Sequence, residues 1–195
     1  MAQAPSSEAS PNPAPSRSCG ACSLCCTVLR VDELHKLGGT PCPELRADSG
    51  CSIYAKRPRI CRAYRCLWLE GGLQEGDRPD RLGAVVDLLH TGMGSRLSIQ
   101  EAEAGAFDRS PRLQQIADAQ RESMPVRIVE AGRVLDADRP FRVLLGDGEE
   151  HRVEGESIVV LHDGAQIEER RLPWLEARVR RLGLLYRRWR LRDFR

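Results

Sequence analysis

All eight cysteines of the 195-residue chain lie between Cys19 and Cys66. Their order is Cys19-x2-Cys22-x2-Cys25-Cys26, followed by Cys42-Pro43, Cys51, Cys61 and Cys66. No other feature limits the fold so strongly, because eight ionisable thiols crowded into one segment need a common physical reason. The candidates are disulfides, a metal site, an iron–sulfur cluster or thiol redox chemistry. The chain is long enough to bury a core, so it does not need cysteine staples to fold.

Redox compartment decides among these candidates. The first residues, MAQAPSSEASPNPAPSRS, have no apolar run of the signal-peptide kind and include Glu8. A cytoplasmic location is expected, where disulfides are rare and clustered cysteines more often hold metal. No apolar run approaches the ~20 residues of a membrane helix, so no membrane partner is expected. Formal net charge is only +2, which gives no reason to expect nucleic acid. Of 30 basic residues only Lys36 and Lys56 are lysines, which reads as a composition bias toward arginine.

Thiolate is the preferred ligand of zinc and of iron–sulfur centres, and four thiolates complete a tetrahedral site. Cys-x2-Cys forms a tight turn that brings two sulfurs to one ion, and here it occurs twice in succession. Cys-x2-Cys-x2-Cys with a remote Cys-Pro also follows the ligand grammar of bacterial ferredoxins. Neighbouring side chains diverge, so Cys25 and Cys26 would feed two sites, or leave one thiol reactive. The expected ligands are Cys19, Cys22, Cys25, Cys26, Cys42, Cys51, Cys61 and Cys66, without an assignment to one site or two. Lys56, Arg57, Arg59, Arg62 and Arg65 lie between Cys51 and Cys66, where cations stabilise ionised sulfur.

CGACSLCC, then CPEL, then GCSIYAKRPRICRAYRCLWL resembles the YkgJ-type cysteine-cluster family, described by its CxxCxxCC motif. The resemblance covers about residues 19–80 and includes Tyr54, Arg57-Pro58, Arg62 and Tyr64. It implies zinc or iron chelation at the eight cysteines. Members are often labelled Fe–S oxidoreductases, and a flagellin lysine N-methylase shares the signature. It names neither a reaction nor a protein partner for this chain.

Around this segment the chain reads as α+β: a small cysteine-rich metal-binding module packed on a short-stranded, β-rich body with a C-terminal amphipathic helix. The expected divisions are a disordered leader over 1–18, the module over 19–77 and the body over 78–195. Within the module, Asp32 would cap a helix through Leu37, residues 40–51 would be loop, and a helix from Pro58 would put Ile60, Tyr64 and Leu67 on one face. Cys61 and Cys66, about 140° apart on a regular helix, cannot both reach one metal unless the helix ends first.

In the body, strands flank a turn at residues 90–95, and a helix starts at Pro111 behind Ser110. Further β segments fall at 125–138, 139–153 with a turn at Gly146-Asp147-Gly148, and 157–164. In the last helix Leu172, Leu175, Val179, Leu182, Tyr186 and Trp189 mark a buried stripe, opposite Arg178, Arg180, Arg181, Arg187, Arg188 and Arg190. Salt-sensitive recognition through that basic face, with structural zinc, is the competing binding-module reading. His35, His90, His151 and His162 have no chelating spacing, and Thr91-Gly92-Met93-Gly94 reads as a hairpin turn instead of a phosphate loop.

Overall fold

Alternation along Ala84-Val85-Val86-Asp87 puts successive side chains on opposite faces of a strand, and all four are buried. This strand needs cover on both sides, and the chain supplies it from two directions. A computed structural model describes residues 17–46, 50–92, 94–130, 132 and 139–193. The expected leader lies outside these residues except for Arg17 and Ser18.

The cysteine segment is built from short pieces. Helix α1 spans Leu24–Val28, strands β1 (Leu45–Arg46) and β2 (Gly50–Cys51) form a minimal antiparallel pair, and α2 spans Arg59–Ala63. Helix α3 (Pro79–Leu82) leads into the sheet. Seven strands follow: β3 (Ala84–Thr91), β4 (Gly94–Glu101), β5 (Val126–Val129), β6 (Phe141–Leu144), β7 (Glu149–Glu154), β8 (Ser157–His162) and β9 (Ala165–Arg171). They pair in chain order, antiparallel except for β4 with β5. A parallel pair needs a crossover, and α4 (Ala106–Arg109) with α5 (Pro111–Arg121) provides it. The chain ends in α6 (Trp174–Arg190). The architecture is α+β, with a mostly antiparallel sheet and a C-terminal helix.

Helix α5 starts where its sequence predicts, with Pro111 in the first turn and the Ser110 hydroxyl accepting from Leu113 N at 3.2 Å. Its Leu113, Ile116 and Ala117 join Ala84, Val86, Leu97, Ile99, Val126 and Ile128 in the main aliphatic core. The reverse face of β3 belongs to a second cluster, in which Val85 meets Val28, Cys66 and Trp68. Leu67 N also donates to Val86 O at 2.9 Å, covering part of the β3 edge. The turn residues Asp147 and Gly148 both have positive φ, as the β6–β7 hairpin requires.

Several local expectations need correction. From Asp32 only a 3-10 turn forms, ending at Leu34, because His35 turns left-handed and Lys36 bridges back to Val31. Residues 40–51 are not all loop, since Leu45 pairs with Cys51. Helix α2 stops at Ala63, and Ile60 on it is 49% exposed, so the stripe expected for Ile60, Tyr64 and Leu67 does not form. Strand β9, AQIEERR, forms without the apolar alternation that marks a strand in sequence. Residues 133–138 of the expected β segment lie outside the described residues. The C-terminal stripe, expected to be buried, faces outward: Leu175, Val179, Leu182, Tyr186 and Trp189 are exposed, and only Ala177 of α6 is buried. The exposed strand β9 offers a single large apolar side chain, Ile167, too little surface for that stripe to pack on.

Candidate metal centre

The Cys19–Cys22 turn closes through Cys22 N donating to Cys19 O at 2.9 Å. Cys25 and Cys26 both sit on α1, one residue apart and therefore pointing in different directions. Cys42 comes back to this helix, its N–H donating to Cys26 O at 3.0 Å. Strand pairing brings in Cys51, α2 carries Cys61, and Cys66 follows after the helix has ended. All eight are free thiols; Cys66 is buried and the rest are partly buried.

Their mutual influence sorts them into two neighbourhoods. Burial raises the Cys66 thiol, and Asp87, Cys19 and Cys22 push it further. Cys25 is raised by its hydrogen bond with Cys26 and then by burial, with Cys19 and Cys22 adding to both. In the other neighbourhood, burial raises Cys61, and Cys26, Cys42 and Cys51 reinforce the shift. Cys42, also raised by burial, senses Cys26 and Cys51 as well. Cys19, Cys22, Cys25 and Cys66 thus influence one another, as do Cys26, Cys42, Cys51 and Cys61. The adjacent pair divides them. The thiols are neighbours without a closed ligand shell: among the described residues no three Cys, His, Asp or Glu side chains meet as a ready-made metal group.

The two neighbourhoods differ electrostatically. Cys26 is lowered to about 7, first by the hydrogen bond from Cys25, then by the positive charges of Lys36 and Arg57. Lys36 is only 1% exposed. Its Nζ donates to Thr27 O at 2.9 Å and also to Leu29 O, carbonyls at the end of α1. Burial lowers the lysine pKa, while Cys42 and Cys26 pull it back. The charge beside this group of sulfurs is therefore fixed by the fold. Lys36 was not singled out for such a role in the sequence, although it is one of only two lysines in an arginine-rich chain.

A cleft of about 200 Å³ is lined by Cys19, Cys22, Cys25, Cys61 and Cys66. Of the basic run, Arg57, Arg62 and Arg65 reach this cleft. Arg57 lies over the Tyr54 ring, 3.7 Å from its centroid. Tyr64 donates its hydroxyl to Asp87 Oδ1 at 2.5 Å, and Gln100 approaches Asp87 Oδ2 at 3.5 Å. Burial raises the Asp87 carboxyl, and the two donors oppose that shift. This pair joins the cysteine segment to β3. Its signal in the sequence was Asp87 standing within an apolar strand.

Behind the cleft, Trp68 is 5% exposed, and its Nε1 donates to Glu75 O at 3.2 Å. Arg17 donates to Trp68 O at 2.7 Å and to Leu73 O at 2.9 Å. Asp77 accepts a two-pronged bond from Arg112 at 2.8 and 2.7 Å and a third bond from Gln74 N at 2.9 Å. It ties the end of the cysteine segment to α5. Gly39, at φ +75°, lets its backbone approach Gly132 O where a side chain would collide. The histidines at 90 and 151 stand on the sheet, beside Ser95 and Glu149.

No protein-family model matches the chain, and neither a curated protein nor a solved structure is similar to it. Among the described residues no helix is long and apolar enough to cross a membrane.

Proposed function

We propose that this chain is a metal-chelating protein whose eight cysteines hold zinc or iron, the iron as an iron–sulfur centre, in two four-thiolate sites. Cys19, Cys22, Cys25 and Cys66 form one set; Cys26, Cys42, Cys51 and Cys61 form the other. What supports this reading is the gathering of the thiols: Cys42 N donates to Cys26 O, Cys51 is held in the β1–β2 pair, and Cys19, Cys22, Cys25, Cys61 and Cys66 line one cleft. The donor chemistry fits, because four thiolates suit zinc or an iron–sulfur cluster and retain negative charge. Lys36 and Arg57 offset that charge on the Cys26 side. A likeness to the YkgJ-type family points the same way, and a cytoplasmic setting suits reduced thiols.

A second reading, redox work at an iron–sulfur centre, is favoured by the cleft beside the Cys66 set and by the lowered Cys26 thiol. One experiment tests both. The protein is purified without oxygen, assayed for zinc and iron, and its absorption spectrum recorded. About two equivalents of zinc per chain and no visible colour support paired zinc sites. Iron with sulfide and charge-transfer absorption that bleaches on reduction supports the redox reading. Protein free of both metals overturns the proposal.

A further inference from the structure

Water is a poor solvent for the outer face of α6. Leu175, Val179, Leu182, Tyr186 and Trp189 recur at alternating steps of four and three residues and are between 59% and 63% exposed. The opposite side of the helix rests on the body through buried Ala177, with Arg181 bonded to Glu156 at 2.5 and 2.9 Å. A contiguous apolar face of this size on a folded protein marks an interaction surface. Its period identifies the partner, since steps averaging 3.5 residues form the narrow seam of paired helices.

We propose that α6 pairs antiparallel with α6 of a second copy of this chain, about a two-fold axis beside Gly183. Placing Val179 against Trp189 of the second copy, and Leu182 against its Tyr186, fixes the register of the seam. That register sets Glu176 opposite Arg190 of the second copy, and two-fold symmetry repeats the pair. Leu185 meets its own copy on the other flank. Gly183, unfavourable inside a helix, falls where the two backbones come closest, and a side chain there would meet nothing among the described residues. The parallel alternative brings no opposite charges together, because it sets Arg178 beside Gly183 and Leu185 beside Arg190. A like-charged contact, Arg178 with Arg192 of the second copy, is likewise repeated by the symmetry, but Arg192 lies past the end of α6 and already has Asp193 at 3.8 Å.

An anionic membrane surface fits less well. A helix lying in a bilayer interface carries its cations where they reach headgroups beside the apolar face. Within α6 only Arg178 and Arg190 flank the seam, whereas Arg180, Arg181, Arg187 and Arg188 fall on the far side of the helix at 3.6 residues per turn. Tyr186 and Trp189, with ring centroids 6.1 Å apart, are the kind of rigid aromatic anchors that dominate protein interfaces.

The test is sedimentation velocity on the full chain over a range of concentrations, with metal content measured on the same samples so that assembly and metal binding are read separately. A dimer is expected. Leu182→Glu weakens it by about tenfold or more while the circular dichroism spectrum is retained. Glu176→Arg and Arg190→Glu each weaken it, and the double variant restores it, since the two residues meet only in the antiparallel pair. These charge variants keep the test decisive if Leu182→Glu fails to fold. A monomer at every concentration, a dimer indifferent to Leu182→Glu, or a double variant without rescue overturns the proposal. So does a monomer that binds phosphatidylglycerol vesicles through the same seam.

Discussion

Ala84 and Val86 look into an aliphatic core, while Val85 and Asp87 look into the cysteine segment, so one strand borders two regions built by different means. On the first side, helix α5 and strands β4 and β5 bury aliphatic side chains completely. On the second, no helix among the described residues of 19–66 exceeds five residues, and the buried apolar cluster includes Cys66 itself. The aliphatic core needs no ligand to hold it together. The cysteine segment has little regular structure and a smaller apolar cluster, so the metal proposed above would supply cross-links that the aliphatic core does not need. A structural metal bound only by the folded state adds its binding free energy to folding.

The largest expected effect separates the two regions. Stripping metal with a strong chelator removes on the order of 10 kcal/mol of binding free energy per structural zinc site. Amide exchange over 19–66 then becomes fast, while β4 and β5 stay protected. Simultaneous loss of protection in the sheet would break the comparison and make the two regions one cooperative unit.

A smaller effect is expected at the boundary. Trp68→Ala removes the largest side chain of the second cluster and costs about 3–5 kcal/mol. Urea unfolding measures that loss. Because Trp68 packs with Val85 of the sheet and with Cys66, the variant also retains less metal. A stability loss without metal loss would show that Trp68 serves the sheet alone.

The smallest expected effect lies at Asp77. Hydrogen bonds from Arg112, then the Gln74 N–H, hold its carboxyl below the usual carboxylate range, against the effect of burial. A depressed folded-state pKa contributes stability above the ordinary value of about 4 and loses it as pH falls through the lowered one. Asp77→Asn therefore costs about 1–3 kcal/mol near neutral pH. The difference from the parent protein shrinks below about pH 4, as thermal melts across pH would show. A cost independent of pH would mean that shape, not charge, joins the cysteine segment to α5.

The strands were the most legible part of the fold. β3 and β8 follow apolar runs, β4 and β5 alternate apolar with polar residues, and the β6–β7 turn is written in Gly146-Asp147-Gly148. Ser110-Pro111 likewise announced α5. β9 was not legible, since AQIEERR has a single large apolar residue, Ile167, which is 64% exposed. Backbone pairing with β8 makes it a strand. In the candidate centre the eight cysteines could be named, but their grouping could not, because spacing along a chain does not give distances between loops. Lys36 shows the same limit: its burial against Thr27 and Leu29 depends on a turn at His35 that propensity does not foresee.

From sequence alone came the concentration of thiols between Cys19 and Cys66, the strand-rich body and the amphipathic character of the last helix. These follow from residue type and period, which act locally. Tertiary structure decided which thiols are neighbours, which cations sit beside them, and which way the last helix faces. In α6 the period correctly marks a stripe, but whether a stripe is buried depends on a partner surface. The chain's own sheet edge offers β9, whose residues are all exposed, and the stripe is left facing outward.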